Sequence, residues 1–447
     1  MPELADLAER LVSWAADGEE VEAYLSWDRE TWLRAYEGDV ESLSAAESAG
    51  AGVRVVLGDR QGFAYAGSLD EPVLAETLAE ARDNAGFATP DPHVGLARPD
   101  GVAPASLDLW RDSLSATPLE DKIALVVSLE RSVRARDPRI RNVESVDYAE
   151  VAVEVALAST AGMRATTRRT GCSLSAYAVA GEGSETQTGW GVSAGRSLEE
   201  LDADSVVADA ADRSTRLLGA RQPRSSRLAV LLEPRVTATL LGIVGSTLSG
   251  EAVLKSRSLF ADRLGESIGS SLVSLLDDPT CEKAFGASAF DAEGLACRPN
   301  ALIEDGVLRG FLYDTYSARR AGTRSTGSAV RAGFRSGPGV GSRALRLRPG
   351  EGGLADLVAE VGSGLLVQSV SGVHSGVNAV SGDFSVGAEG LMVRGGELAE
   401  PVRELTIAST LQRMLAEICA VGGETEWLPG GAAGTPVVIG EMSMSGA

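Results

Sequence analysis

The polar side chains that could do chemistry are densest in one run of small residues, Gly376–Gly390, which reads GVNAVSGDFSVGAEG. Small residues let a second backbone approach, and Asn378, Ser381 and Asp383 offer hydrogen bonds around it. Such a stretch suits an extended peptide held by its main chain. Gly376, Asn378, Ser381, Gly382, Asp383 and Phe384 are therefore the substrate-binding candidates. A loop between bulged strands has the same composition, because glycine also marks bulges. Composition alone leaves the two readings even.

Other candidates are weaker. Gly265-Glu266-Ser267-Ile268-Gly269 matches the G-x-S-x-G of a nucleophile elbow, and His374 follows Ser267 in the order hydrolases use. A working elbow needs a buried strand directly before the serine and a helix after it. The residues before Ser267 are instead the charged, amphipathic RSLFADRL of Arg257–Leu264. Gly337–Gly341 is glycine-rich but has no Lys-Ser/Thr after it, so it reads as a flexible loop and not a phosphate cradle. The two histidines, His93 and His374, are 281 residues apart, which leaves no local two-histidine metal site. Cys172, Cys281, Cys297 and Cys419 form no CxxC pair and read as reduced thiols, with Cys419 on a helix face. No catalytic or metal-ligating residue is assigned to the chain.

The elements that must position these groups are mixed. A helical face runs over residues 3–16, and Glu22–Trp27 with Thr31–Tyr36 read as a strand pair. Val53–Leu57 and Gly62–Ala66 form a hairpin, followed by a helix from Asp70 with Pro72 in its first turn. Residues 86–117 are a long connector. Helices are expected over 119–134 and 198–218, with strand-like sequence between them. Past the polar stretch Gly219–Arg227 come a buried strand, Leu228–Leu232, and a helix from Pro234 to Ser249. Asp305-Gly306 and Gly395-Gly396 carry the signature of type I′ hairpins. Leu411, Met414, Leu415, Ile418 and Cys419 follow a helical period. Strands and helices do not alternate regularly, so the class is α+β with hairpin-rich sheets. Two domains are expected, an acidic one over 1–218 and a second over 228–447.

Charge excludes some functions. The 447 residues carry 41 Lys+Arg and 63 Asp+Glu, a net charge of −22. Residues 1–220 hold 20 basic and 39 acidic side chains, so most of that charge sits in the first half. Phosphate backbones are repelled by such a surface, which argues against a nucleic-acid partner. No run approaches the roughly 18–20 apolar residues of a membrane helix, and the acidic N-terminus lacks signal-peptide character. A cytoplasmic protein is expected. One basic stretch, with Arg319, Arg320, Arg324, Arg331, Arg335, Arg343, Arg346 and Arg348, has no acid from Thr315 to Gly350. It reads as a solvated loop in an arginine-rich chain. The alternative is a surface complementary to an acidic partner.

In Ser375–Gly390, Gly396–Leu411 (GELAEPVRELTIASTL) and Tyr313–Gly327 (YDTYSARRAGTRSTG) the chain resembles the TldD/PmbA family of peptidase proteins, in its PmbA (TldE) branch. Lys255–Ile268 adds a weaker segment. The likeness covers most of residues 228–447, and Ser409-Thr410 stand where Gly-Asn is expected. The TldD branch carries H-E-x-x-x-H on the first helix of this domain and a cysteine near the C-terminus, a set that holds Zn²⁺ and activates its water. Aligned on Leu240–Glu251, those positions are Leu241, Gly242 and Ser246 here. The resemblance thus implies no cofactor in this chain, with zinc in a TldD-type partner. It implies a cytoplasmic heterodimer whose zinc subunit cuts unstructured or modified peptides while this subunit completes the chamber. Two other readings stand beside it: an autonomous metal-free hydrolase using Ser267, and a stand-alone peptide-binding homodimer.

Overall fold

The structure, a computed structural model, describes residues 2–447. Its first half is one antiparallel sheet with helices on a single face. The elements are α1 (Pro2–Ser13), β1 (Glu19–Tyr36), β2 (Asp39–Leu57), β3 (Arg60–Ala66), α2 (Glu71–Phe87), α3 (Asp112–Ala116), α4 (Leu119–Arg136), β4 (Ile140–Ser159), β5 (Arg164–Ala180), β6 (Gln187–Gly195) and α5 (Ala203–Thr215). The strand order is β3-β2-β1-β4-β5-β6. Alternation along β1 makes the two faces: Val21, Ala23, Leu25, Leu33 and Ala35 are buried under the helices, while Tyr24, Ser26, Asp28 and Glu30 point to the other side.

Two expectations change here. Residues 22–36 form one strand and not a pair, because Asp28, Arg29 and Glu30 stay in register with Ser48, Glu47 and Ala46 of β2. A polar residue on the face away from the helices does not end a strand. The helix expected over 198–218 begins only at Ala203, where the Asp202 carboxylate accepts from Ser205 N at 2.9 Å and caps it. Pro72 does sit in the first turn of α2.

The second half runs β7 (Ser226–Leu232), α6 (Pro234–Thr247), α7 (Gly250–Leu254), β8 (Leu275–Asp277), β9 (Asn300–Glu304), β10 (Val307–Leu308), α8 (Thr315–Ala321), β11 (Ala329–Val330), β12 (Gly339–Val340), β13 (Leu345–Leu347), α9 (Leu354–Val361), β14 (Ser363–Ser371), α10 (Val373–Gly376), β15 (Asp383–Arg394), β16 (Glu397–Thr410), α11 (Leu411–Ala416), β17 (Ile418–Val421), β18 (Glu426–Trp427), β19 (Ala433–Gly434) and β20 (Val437–Ser445). Its main sheet has the order β16-β15-β14-β7-β20-β17, and β16 also reaches β20. Leu240, Leu241 and Val244 of α6 pack in its core with Val230, Leu365 and Ile439. Both hairpin turns have positive φ at each central residue, 48° and 81° at Asp305-Gly306 and 60° and 80° at Gly395-Gly396. Those signs are what a type I′ turn requires. Cys419 is not on a helix. The helix stops at Ala416, and Ile418 pairs with Ile439 of β20, leaving the thiol exposed on β17. The class is α+β, as expected.

The arginine stretch is only in part a solvated loop: Arg320, Arg324, Arg335 and Arg348 are exposed, but Arg331 is withdrawn from water. Arg331 forms an ion pair with Glu22 of β1, both side chains 1% exposed. Arg54 of β2 binds Glu22 at 2.6 Å and Glu293 at 3.4 Å. Arg319 donates to Val94 O (2.6 Å) and Leu96 O (3.1 Å) of the long connector. These contacts join the two halves, and the charges of Glu22, Arg54, Glu293 and Arg331 have almost no water around them. The sequence pattern misled because the acids that pair with the stretch lie in distant segments. Among the described residues, no helix is long and apolar enough to cross a membrane.

Candidate functional site

The six substrate-binding candidates fall on α10, β15 and the turn between them. Asn378 organises that turn: its side-chain oxygen accepts from Val380 N (2.9 Å) and Ser381 N (3.2 Å), and its backbone N–H donates to Asp383 O at 2.9 Å. Ser381 Oγ donates to Asp383 Oδ2 at 2.6 Å. Asn378, Ser381 and Asp383 are exposed, whereas Gly382 is buried with φ +87°. A Cβ there would lie 2.2 Å from Gln412 Oε1 of α11. Phe384 is 5% exposed and belongs to the core. At Gly376 a Cβ would meet Ser385 O at 1.9 Å, and at Gly390 it would meet Leu366 O at 1.8 Å. These two glycines thus admit neighbouring backbone of the chain itself. The turn also abuts α11, where Gly382 O accepts from Leu411 N (2.8 Å) and Thr410 Oγ1 caps the helix at Arg413 N (3.3 Å). Thr410, one of the two residues standing in place of Gly-Asn, keeps a capping group.

The other singled-out groups lie apart. Ser267 is exposed and its Oγ donates to Gly269 O at 3.3 Å. It follows turns and not a buried strand, and among the described residues no imidazole or carboxylate hydrogen-bonds to it. His374 is exposed on α10. On α6, Leu241 is buried in the core, Gly242 is exposed with open space where a side chain would be, and Ser246 Oγ turns back to Ile243 O at 2.7 Å. Among the described residues, no three His, Cys, Asp or Glu side chains converge as a metal set.

A feature that sequence reasoning missed lies on the helix-free face of the first sheet. There a cavity of about 700 Å³ runs between β1, β4 and β5 and the segments 288–292 and 331–335. Its floor is in register: Asp28 stands opposite Val153, which stands opposite Arg169. Arg343 and Arg335 enter from the second half. The sequence signal was slight: Val143–Leu157 alternates and then becomes continuously apolar, and nothing singled out Arg169.

Profiles of the PmbA/TldA metallopeptidases match the chain in three places: domain 1 over residues 21–85, the central domain over 112–218 and the C-terminal domain over 225–446. The chain belongs to the TldD/PmbA family. It is similar to the protein named metalloprotease PmbA of Escherichia coli O157:H7, 28% identical over 449 residues that cover 100% of this chain and 96% of that one. A metalloprotease TldD homolog of Haemophilus influenzae is also 28% identical, over 408 residues covering 89% and 84%. Among solved structures, a Thermotoga maritima protein described as a candidate modulator of a DNA gyrase superposes with a TM-score of 0.91 at 25% identity, covering 98% of this chain and 99% of that one. TldE from Thermococcus kodakarensis, 22% identical with 100% of both chains covered, gives 0.88 and speaks to the fold. The family resemblance seen in the second half therefore extends through the first.

Proposed function

We propose that this chain is a PmbA/TldE-like, non-catalytic subunit of a TldD-type metallopeptidase complex that cleaves unstructured or modified peptides. One observation carries the reading: α6, the helix that bears H-E-x-x-x-H in the TldD branch, offers no ligand. Leu241 presents only carbon and is committed to the core, Gly242 has no side chain, and the Ser246 hydroxyl is spent on its own helix. A structural or catalytic zinc needs imidazole, thiolate or carboxylate donors converging within about 2.0–2.3 Å of the ion. The residues present do not fit one, and no step of peptide hydrolysis is assigned to them. Zinc and its activated water belong on a partner subunit. In that arrangement Gly376–Gly390 faces the shared chamber, with Asn378 and Asp383 lining it.

The test is co-expression with an H-E-x-x-x-H relative, followed by peptide-cleavage assays of each subunit alone and of the mixture. Cleavage only in the mixture is expected, together with far less than one zinc per chain when this protein is purified alone. Stoichiometric zinc in the isolated chain, or peptidase activity without a partner, overturns the reading.

A further inference from the structure

The cavity on the helix-free face of the first sheet contains a charge problem that the fold leaves unsolved. Arg169 enters it from β5, and Arg343 enters the same space from the second half. Every other arginine in that wall has a partner. Arg331 is tied to Glu22 and lies 4.7 Å from the Tyr24 ring centre, and Arg335 stacks on Phe334 at 5.2 Å with Asp28 as the acid whose charge it offsets. Among the described residues, no hydrogen bond or ion pair reaches the Arg169 guanidinium. Arg343 spends one nitrogen on Ala329 O at 3.0 Å and keeps its Nε buried with no acceptor. Burial first, and then repulsion from Arg343, make the charged form of Arg169 less favourable than in water. A guanidinium cannot escape by losing its proton, so Arg169 faces the cavity without an ion-pair partner, and Arg343 beside it is offset only through space by the buried Asp277. Buried charges are otherwise paired.

The surroundings narrow what could compensate them. Val151, Val153 and Val155 make an apolar floor, and Phe290 and Phe334 line the same space. Asp28, Glu30 and Asp291 share the wall with the four arginines; Arg331 is already paired with Glu22 and burial pushes Asp291 toward its neutral form, a balance that accepts one negative charge and disfavours a phosphate dianion. A volume of about 700 Å³ is that of an ordinary small-ligand pocket. Planar guanidinium forks match the two oxygens of a carboxylate.

We propose that this cavity binds the carboxylate of an apolar, extended peptide segment, held by Arg169 and Arg343 over the valine floor. The peptide as occupant rests on the function proposed above; the carboxylate rests on the cavity. A chain end and an acidic side chain would supply the same group.

The experiment uses the full chain alone, so its outcome does not depend on whether a zinc partner exists. Fluorescence anisotropy compares three N-terminally labelled hexapeptides of alternating alanine and valine: the free acid, its C-terminal amide, and the amide with one internal glutamate. At least one carboxylate-bearing peptide should bind about tenfold or more tighter than the plain amide. Preference for the free acid names a chain end, and preference for the glutamate peptide names a side chain. Arg169→Met should erase the preference, and Arg169→Lys should keep part of it. Because Arg169 makes no ion pair within the fold, Arg169→Met should melt no lower than the wild type, and only the wild type should gain melting temperature from the preferred peptide. Equal binding of all three peptides, no binding of any, or an unchanged preference in a folded Arg169→Met overturns the proposal. Should Arg169→Met fail to fold, the wild-type comparison of acid and amides still decides. Failure of the complex reading shows separately, as absence of co-purification and cleavage with the zinc relative.

Discussion

Replacing Gly382 tests whether the turn before β15 matters beyond holding the strand. An L-residue at its φ of +87° carries the left-handed penalty of roughly 1–2 kcal/mol, and a β-branched residue carries more. The new Cβ would also press on Gln412 Oε1 at 2.2 Å. That oxygen is the end of a flexible side chain with no hydrogen bond of its own, so it can swing away. Moving it sacrifices the Gln412 Nε2 bond to Ser381 O at 3.3 Å, a net loss of about 0.5–1.5 kcal/mol. Gly382→Ala should therefore cost about 2–3 kcal/mol by urea denaturation, and Gly382→Val somewhat more. Adding Gln412→Ala should recover only the contact part, about 1 kcal/mol, because the backbone strain remains. A Gly382→Ala cost below about 0.5 kcal/mol, or full rescue by Gln412→Ala, would refute this reasoning. In the reconstituted complex, Gly382→Val is expected to abolish peptide cleavage and leave dimerisation nearly intact. Unchanged cleavage would make the turn a structural loop only.

Ser267→Ala should leave cleavage by the reconstituted complex unchanged; loss of activity with folding intact would revive the serine-hydrolase reading. Glu22→Gln leaves Arg331 and Arg54 facing each other in a dry junction, so it should destabilise the chain by about 3–5 kcal/mol in chemical denaturation. Burial alone would raise the Glu22 pKa, but Arg331 and Arg54 outweigh it and the net shift is downward from 4.5. Its stabilisation is accordingly complete above pH 4.5 and lost as pH falls through the lower folded value, and a wild-type melting temperature flat in pH below 4.5 would contradict this. Asp291 goes the other way: burial, and then Glu293, push it up to about 7. Its protonated form contributes stability below the ordinary value of 3.8, and that contribution fades as pH rises toward 7. Asp291→Asn should flatten the loss of melting temperature between pH 4 and 7, and an unaltered slope would count against the shift.

Turns and single-faced elements were the readable part of this chain. Asp305-Gly306 and Gly395-Gly396 specify their hairpins because few residue pairs tolerate two positive φ values, and α2 announces itself by Pro72. Periodicity alone failed at Cys419. Ile418 keeps a helical interval from Leu411, yet its burial comes from pairing with β20. The six candidates of Gly376–Gly390 do cluster, although Phe384 turned out to belong to the core and Asn378 to its own turn. What sequence could not show is which distant groups meet. Arg331 reads as one arginine in a basic run until Glu22 is placed beside it, and Arg169 carries no signal of its own until the second half is placed against its strand.

The ion pair between Glu22 and Arg331 spans 309 positions of the chain, and that separation orders events during synthesis. When the first sheet emerges, Arg54 can already neutralise Glu22, but Arg331 and Glu293 do not yet exist. The face bearing Tyr24, Ser26, Asp28 and Glu30 must then remain hydrated while over a hundred further residues are added. Its serine and carboxylates keep that waiting surface from sticking to others. Docking of residues 288–335 dries the Glu22 junction only when both matching charges arrive together, while Glu30 stays exposed. Closure is thus a late, long-range step that cannot begin before Arg331 has been made.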